Sequence, residues 1–184
     1  AKLGGAEVAG LMAHTNVISV SWLIQQAERI ETGEVTNLPA CQHLPEEAKL
    51  TFEELLGWQC PGGFDSLPIL VLSYCWQDAG HPDESAEQLQ RLLPVFKSFA
   101  AHGVCGCVWD WLSLPQKASC SLSPMQRACF EMALKSINRW YAMPHVFVLI
   151  LKTLPPYDVP TVRNKYERYD ARGWPFFEQT ISAV

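Results

Sequence analysis

The sequence predicts an α/β domain built on a parallel sheet, and three observations carry that prediction. From Pro68 onward, short apolar runs alternate with helical stretches in the order strand, helix, strand, helix, strand, loop, helix. Such alternation argues for parallel strands joined by right-handed crossovers. The runs Pro68–Tyr74, Val104–Asp110 and His145–Leu151 are apolar almost throughout, the pattern of strands covered on both faces. The chain has 184 residues, 48% apolar and 18% charged, enough for one domain with an extension and a core of its own. A mostly helical N-terminal segment, residues 1–66, precedes the α/β domain of residues 67–184. The boundary falls at the turn-forming Cys60-Pro-Gly-Gly-Phe-Asp-Ser66.

In chain order, Glu7 to Glu31 reads as helix. Val8, Leu11 and Met12, then Val17, Val20, Leu23, Ile24, Ala27 and Ile30, recur near a 3.6-residue period. Thr15-Asn16 divides the stretch, and Asn16 is suited to cap the second helix. The run Val17–Ile24 is also compatible with a strand. Gly33 ends the helix. Pro45 to Leu56 reads as a short helix, with Pro at its start and acids in its first turn. Ser85 to Ala101 is a helix on Leu89, Leu92, Leu93 and Phe96, with a kink or restart expected at Pro94. Ser123-Pro-Met-Gln126 opens the next helix: Ser at the cap, Pro at the first position, Gln at the third. It runs to about Ala142. A long loop from Thr153 to Tyr169 leads to a last helix start, where Gly173 precedes Pro175.

Composition excludes several classes of function. The formal net charge of −5 argues against a nucleic-acid-binding surface. A local basic excess, Arg163, Lys165, Arg168 and Arg172, precedes Trp174. Seven cysteines form no disulfide framework, and several lie in apolar runs, which points to free thiols in a reducing, cytoplasmic compartment. Zinc spacings are absent, so no metal is expected. No apolar run reaches the ~18 residues of a membrane span, and no signal-peptide pattern is present. The chain begins at Ala1 rather than Met, so it is expected to be trimmed or to be the ordered part of something longer. There is no Gly-rich dinucleotide fingerprint, no phosphate loop and no nucleophile elbow. None of the five histidines is expected at a strand end with a partner.

Ligands of parallel sheets bind outside the carboxyl ends of the strands. That rule gathers Ser73, Tyr74, Cys75 and Trp76 from the first strand end, Asp110 and Trp111 from the second, and the loop that leads to Trp174 and Glu178. Trp174 and Glu178 are four residues apart and face one side of a helix start, with Arg172 beside them as a phosphate or carboxylate partner. A lone carboxylate suits cleavage of an N-glycosidic bond, because it stabilises the oxocarbenium-like state electrostatically. The nicotinamide of NAD+ leaves as a neutral group, so neither a metal nor a strong general acid is needed.

Three boxes carry a family resemblance. Leu70-Val-Leu-Ser-Tyr-Cys-Trp76 resembles the opening Leu-Ser-Tyr-Cys-Trp box of the fungal heterokaryon-incompatibility (HET) domain and the Ser-Tyr strand end of Toll/interleukin-1 receptor (TIR) domains. Val108-Trp-Asp-Trp-Leu-Ser-Leu-Pro-Gln116 resembles the second strand and following loop of both families. Tyr169-Asp-Ala-Arg-Gly-Trp-Pro-Phe-Phe-Glu178 resembles the R-x-W-x-x-x-E box of HET and the Trp-x-x-x-Glu of NAD-cleaving TIR domains. The resemblance covers about Pro68 to Val184. It implies a flavodoxin-like fold and, in active members, NAD+ hydrolysis linked to self-association in immunity or cell death. NAD+ is then the substrate, no resident cofactor is needed, and the chain is expected to form homo-oligomers. Glu178 would be the catalytic carboxylate and Trp174 its aromatic partner. Ser73, Tyr74, Trp76, Asp110 and Trp111 would line the cleft, and Gln116 would sit on a gating loop. Full domains of both families continue with more strands, so the sheet is expected either to be truncated at its C-terminal end or to have its exposed face covered by the N-terminal 66 residues. Many members are inactive scaffolds, which leaves an interaction module of the same fold as the second expectation.

Overall fold

In the computed structural model, the described residues are 5–57, 69–77, 80–103, 105–117, 121–143 and 146–152, with Glu178, Thr180 and Ser182. Five strands form one sheet: β1 (Val17–Ser19), β2 (Lys49–Leu50), β3 (Ile69–Ser73), β4 (Gly106–Val108) and β5 (Phe147–Ile150). Their order is β2-β1-β4-β3-β5. The helices are α1 (Gly5–Met12), α2 (Val20–Glu31), α3 (Phe52–Gly57), α4 (Glu87–Ala101), α5 (Asp110–Ser113) and α6 (Pro124–Ala142). No described helix is long and apolar enough to cross a membrane.

The centre of the sheet is parallel, as the alternating pattern predicts. β3 pairs in parallel with β4 on one side and β5 on the other. β3 is buried along its whole length. Leu70 and Leu72 enter a core with Phe96, Leu89 and Trp109 on the α2 and α4 side. Ile69 and Val71 enter a second core with Val8, Leu11, Ile137 and Trp140 on the α1 and α6 side. A strand covered by helices on both faces has no polar side to show, hence its unbroken apolar run.

The described part of the N-terminal segment is mostly helical, as expected, but it also supplies two strands to this sheet. β1 pairs antiparallel with β4 and with β2, making the sheet mixed rather than wholly parallel. Glu7–Glu31 is therefore helix, strand and helix in succession. β1 approaches β4 at Gly106, where an added Cβ would meet Val17 Cγ1 at 2.6 Å. The missing side chain makes room for the neighbouring strand. Asn16 does not cap α2. Ser19 does, accepting from the Trp22 N–H at 3.3 Å, while Asn16 Nδ2 donates to Cys41 Sγ at 3.3 Å. The stretch expected as one helix from Pro45 to Leu56 is a 3-10 turn (Glu46–Ala48), strand β2 and helix α3. The open edge of β1 draws Lys49 and Leu50 into the ladder. α3 then restarts on Thr51, whose hydroxyl accepts from the Glu54 N–H at 3.2 Å while Glu54 Oε2 accepts from the Thr51 N–H at 2.7 Å.

Two helix readings meet their structure differently. α4 continues through Pro94 without a break. Pro94 lies on the exposed side, where water can replace the bond it removes. α6 begins as its sequence dictates: Ser123 Oγ accepts from the Gln126 N–H at 3.2 Å and Gln126 Oε1 accepts from the Ser123 N–H at 2.9 Å. That reciprocal pair is a capping box.

Candidate functional site

The carboxyl ends of β3 and β4 meet in a cluster centred on Asp110. The chain leaves β3 at Ser73 and continues extended through Tyr74, Cys75 and Trp76, so alternate side chains point to opposite sides. Tyr74 and Trp76 point to the same side. Tyr74 Oη donates to Asp110 Oδ1 at 2.5 Å and Trp76 Nε1 donates to Asp110 Oδ2 at 2.7 Å. Asp110 is the first residue of α5, and its Oδ1 also takes the Trp111 backbone N–H at 2.6 Å. A carboxylate in the first turn of a helix is favourably placed against the orphan N–H groups.

Burial holds the Asp110 carboxyl above the ordinary aspartate range, against the opposing pull of Tyr74, Trp76 and the Trp111 N–H. The Tyr74 hydroxyl is pushed well above its usual value by burial and by the negative charge of Asp110. The phenol therefore stays protonated and donates. Trp76 meets Trp111 edge-on at 5.6 Å, and Tyr74 meets Trp109 edge-on at 5.7 Å, geometries the ring quadrupoles favour.

The N-terminal segment holds this cluster from the other side. The Leu38 carbonyl accepts from Trp111 Nε1 at 3.2 Å and lies 3.1 Å from His81 Nε2. His81 Nδ1 accepts from the Asp83 N–H at 3.0 Å, so the ring proton sits on Nε2 and is donated to Leu38. The imidazole packs on Trp111 with centroids 4.5 Å apart. No histidine was expected at a strand end with a partner; His81 lies in the loop beyond β3, and its bonds are to backbone groups. Gln42 grips the loop after α5. Its Oε1 accepts from the Gln116 N–H and its Nε2 donates to the Gln116 carbonyl, both at 3.0 Å. Gln116 in turn donates through Nε2 to the Asp110 carbonyl at 2.8 Å and the Leu114 carbonyl at 2.7 Å.

Behind Trp76, the turn before α4 is closed by Asp83. Its carboxylate accepts from the Gln88 N–H at 3.0 Å and the Leu89 N–H at 2.9 Å. Ala86, at the helix boundary, has a left-handed φ of 57° and offers no side-chain cap, so Asp83 supplies it from three residues upstream. Burial raises the Asp83 carboxyl above its ordinary value.

Glu178 comes to the end of β3, the middle of the three parallel strands. It is buried, and Ser73 Oγ donates to its Oε2. The Ser73 carbonyl accepts from the Leu151 N–H at 2.8 Å, which continues the β3–β5 pairing past the strand ends. Thus Ser73, Tyr74, Trp76, Asp110, Trp111, Gln116 and Glu178 gather at one edge of the sheet. Cys75 is 1% exposed, and its carbonyl accepts from Gln88 Nε2 at 3.4 Å. Arg172 and Trp174 lie outside the described residues.

Among the described residues no three His, Cys, Asp or Glu side chains gather to hold a metal. Cys41, Cys75, Cys105, Cys107 and Cys129 are not in disulfides. Burial pushes Cys41 up to about 12 and raises Cys107, so neither supplies a thiolate nucleophile at neutral pH. Sequence reasoning missed Leu38, Gln42 and His81. Leu38 acts through its backbone carbonyl, which no side chain advertises, and Gln42 lies 74 residues from Gln116.

Comparison of the chain with known protein families, with curated proteins and with solved structures finds no match.

Proposed function

We propose that this chain is an NAD+ glycohydrolase of the TIR/HET type, cleaving NAD+ to nicotinamide and ADP-ribose, with Glu178 as its reactive carboxylate. The observation that carries this reading is the Ser73–Glu178 contact. It joins the Trp-x-x-x-Glu box to the end of the middle parallel strand across 105 residues of sequence. The parallel strands add support. Numbered from β3, their order is second, first, third, the opening order of a flavodoxin-like sheet. In that order the ligand crevice lies between the first and third strands, here at Ser73 and Leu151.

The chemistry asks little of the protein. The bond from ribose C1′ to the nicotinamide nitrogen breaks, and its electron pair stays on the ring, which leaves neutral. Glu178 stabilises the positive charge left on the ribosyl group. Water adds to C1′ and loses a proton. Trp76, half-buried, offers aromatic surface beside the site, and Trp174 and Arg172 are the further groups expected to hold the nicotinamide ring and a phosphate. Activity is expected to depend on self-association.

The test is NAD+ loss by concentrated purified protein, set against Glu178→Gln. Strong loss of turnover in a folded variant is expected. Equal rates would remove the catalytic role of Glu178.

A second reading, an inactive interaction module of the same fold, is favoured by one observation. Tyr74 and Trp76 both direct their donors to Asp110, so that wall of the site serves the protein's own stability. This reading expects self-association that survives Glu178→Gln, without nucleotide turnover.

A further inference from the structure

Two serines hold Glu178, one at its backbone and one at its carboxylate. Ser182 Oγ donates to the Glu178 carbonyl at 2.7 Å, one helical turn away, and Ser73 Oγ donates to Glu178 Oε2. The first bond is local to its helix. The second ties the carboxylate to the sheet.

The backbone of Ser73 is itself fixed. The residue is 0% exposed. It closes β3 opposite Ile150 of β5, and its carbonyl accepts from the Leu151 N–H at 2.8 Å. Alternation along the strand turns its side chain away from that of Tyr74. Successive residues therefore deliver their hydroxyls to different carboxylates, Ser73 to Glu178 and Tyr74 to Asp110.

Glu178 is 3% exposed. Burial disfavours a charged carboxyl unless donors compensate, yet stabilising an oxocarbenium-like group requires the ionised form. A glutamate side chain also has several rotatable bonds, and a misplacement of ~1 Å costs ~100-fold in rate. One hydroxyl on a paired strand meets both needs. We infer, on the NAD+ reading above, that Ser73 is the positioning residue of Glu178: its hydroxyl keeps the carboxylate ionised and aimed, and does not itself touch substrate.

The experiment sets Ser73→Ala and Ser73→Cys against the natural chain, each alone and combined with Glu178→Gln. The cysteine is close in volume, but its thiol is a weak donor. Two quantities are read on the concentrated full chain. One is steady-state NAD+ turnover. The other is the pH titration of the Glu178 carboxyl carbon by carbon-13 NMR, the signal being assigned by its loss in Glu178→Gln. Both serine variants are expected to lower kcat about 10- to 100-fold, the value of a hydrogen bond to a charged group, with KM within about twofold. In the Glu178→Gln background they are expected to add less than about twofold, because the two residues act as a unit. The Glu178 titration midpoint is expected to rise by about one pH unit in both, since the lost bond favoured the charged form. Three results overturn the inference: Ser73→Cys turning over like the natural chain, an equal further loss in the Glu178→Gln background, or an unmoved Glu178 midpoint. Failure of the NAD+ reading looks different. The natural chain and Glu178→Gln would then turn over NAD+ equally, while the Glu178 midpoint still decides the role of Ser73.

Discussion

Asp110 receives three donors, from Tyr74, Trp76 and the Trp111 backbone. Glu178, at the same edge of the sheet, takes the hydroxyl of Ser73. The donors on Asp110 come from rigid rings and from the backbone of its own helix, all within 36 residues of it. Ser73 offers a short, rotatable hydroxyl that can re-aim without moving a strand. One carboxylate braces two strand ends together. The other is joined to the end of β3 by a side-chain hydroxyl. The contrast teaches which acid to test for stability and which for chemistry, although sequence alone presents both as carboxylates near the ends of apolar runs.

The largest expected effect separates them at once. Glu178→Gln keeps shape and hydrogen-bonding capacity but removes charge. It is expected to lower NAD+ turnover by about 100- to 1,000-fold, with the urea midpoint almost unmoved. A variant that unfolds easily yet turns over normally would reverse the two roles.

Asp110→Ala comes next. It leaves Tyr74 Oη and Trp76 Nε1 without their acceptor and is expected to cost about 3 kcal/mol in urea unfolding. Tyr74→Phe removes one donor and is expected to cost about 1 kcal/mol. If the two substitutions cost the same, Trp76 and the Trp111 N–H contribute nothing to the brace.

Acidity gives the finest distinction. Burial raises the Asp110 carboxyl in the folded chain, so the folded state binds a proton more readily than the unfolded one. The stability tied to that proton is complete below the ordinary aspartate value of about 3.9 and is lost as pH rises through the raised folded value. The stability difference between the natural chain and Asp110→Asn is therefore expected to shift in favour of the natural chain as pH falls from 7 toward 4.5. Urea titrations at the two pH values measure it, and a shift of opposite sign would show that the three donors outweigh burial.

Long elements with local signals were legible in the sequence. The Ser123–Gln126 capping box needs only four adjacent residues to be recognised, and β3 announces itself by four consecutive apolar residues, Ile69 to Leu72, covered on both faces. The strand-end rule gathers Tyr74, Trp76 and Asp110 from the sequence alone. β1 and β2 were not legible, because three- and two-residue strands carry almost no periodicity and are stabilised by partners far away. Val17 and Ile18 fit a helical period as well as a strand, and only pairing with Cys107 and Lys49 decides between them. The grip of Gln42 on Gln116 and the Leu38 carbonyl beneath Trp111 share that non-local origin. Their residue types are ordinary loop residues until the chain folds them against α5.

Ser19 does three things at one residue: it ends β1, pairs with Gly106 and caps α2. No spare residue separates strand from helix, so the joint has no slack. One amino acid inserted there shifts the ladder or the cap and cannot be absorbed as a loop. Gly33, beyond the far end of α2, has a φ of 77° and open space where a Cβ would sit. For anyone splitting the protein or splicing a reporter into it, the turn after α2 is the place to cut, and the seam before it is the place to leave alone.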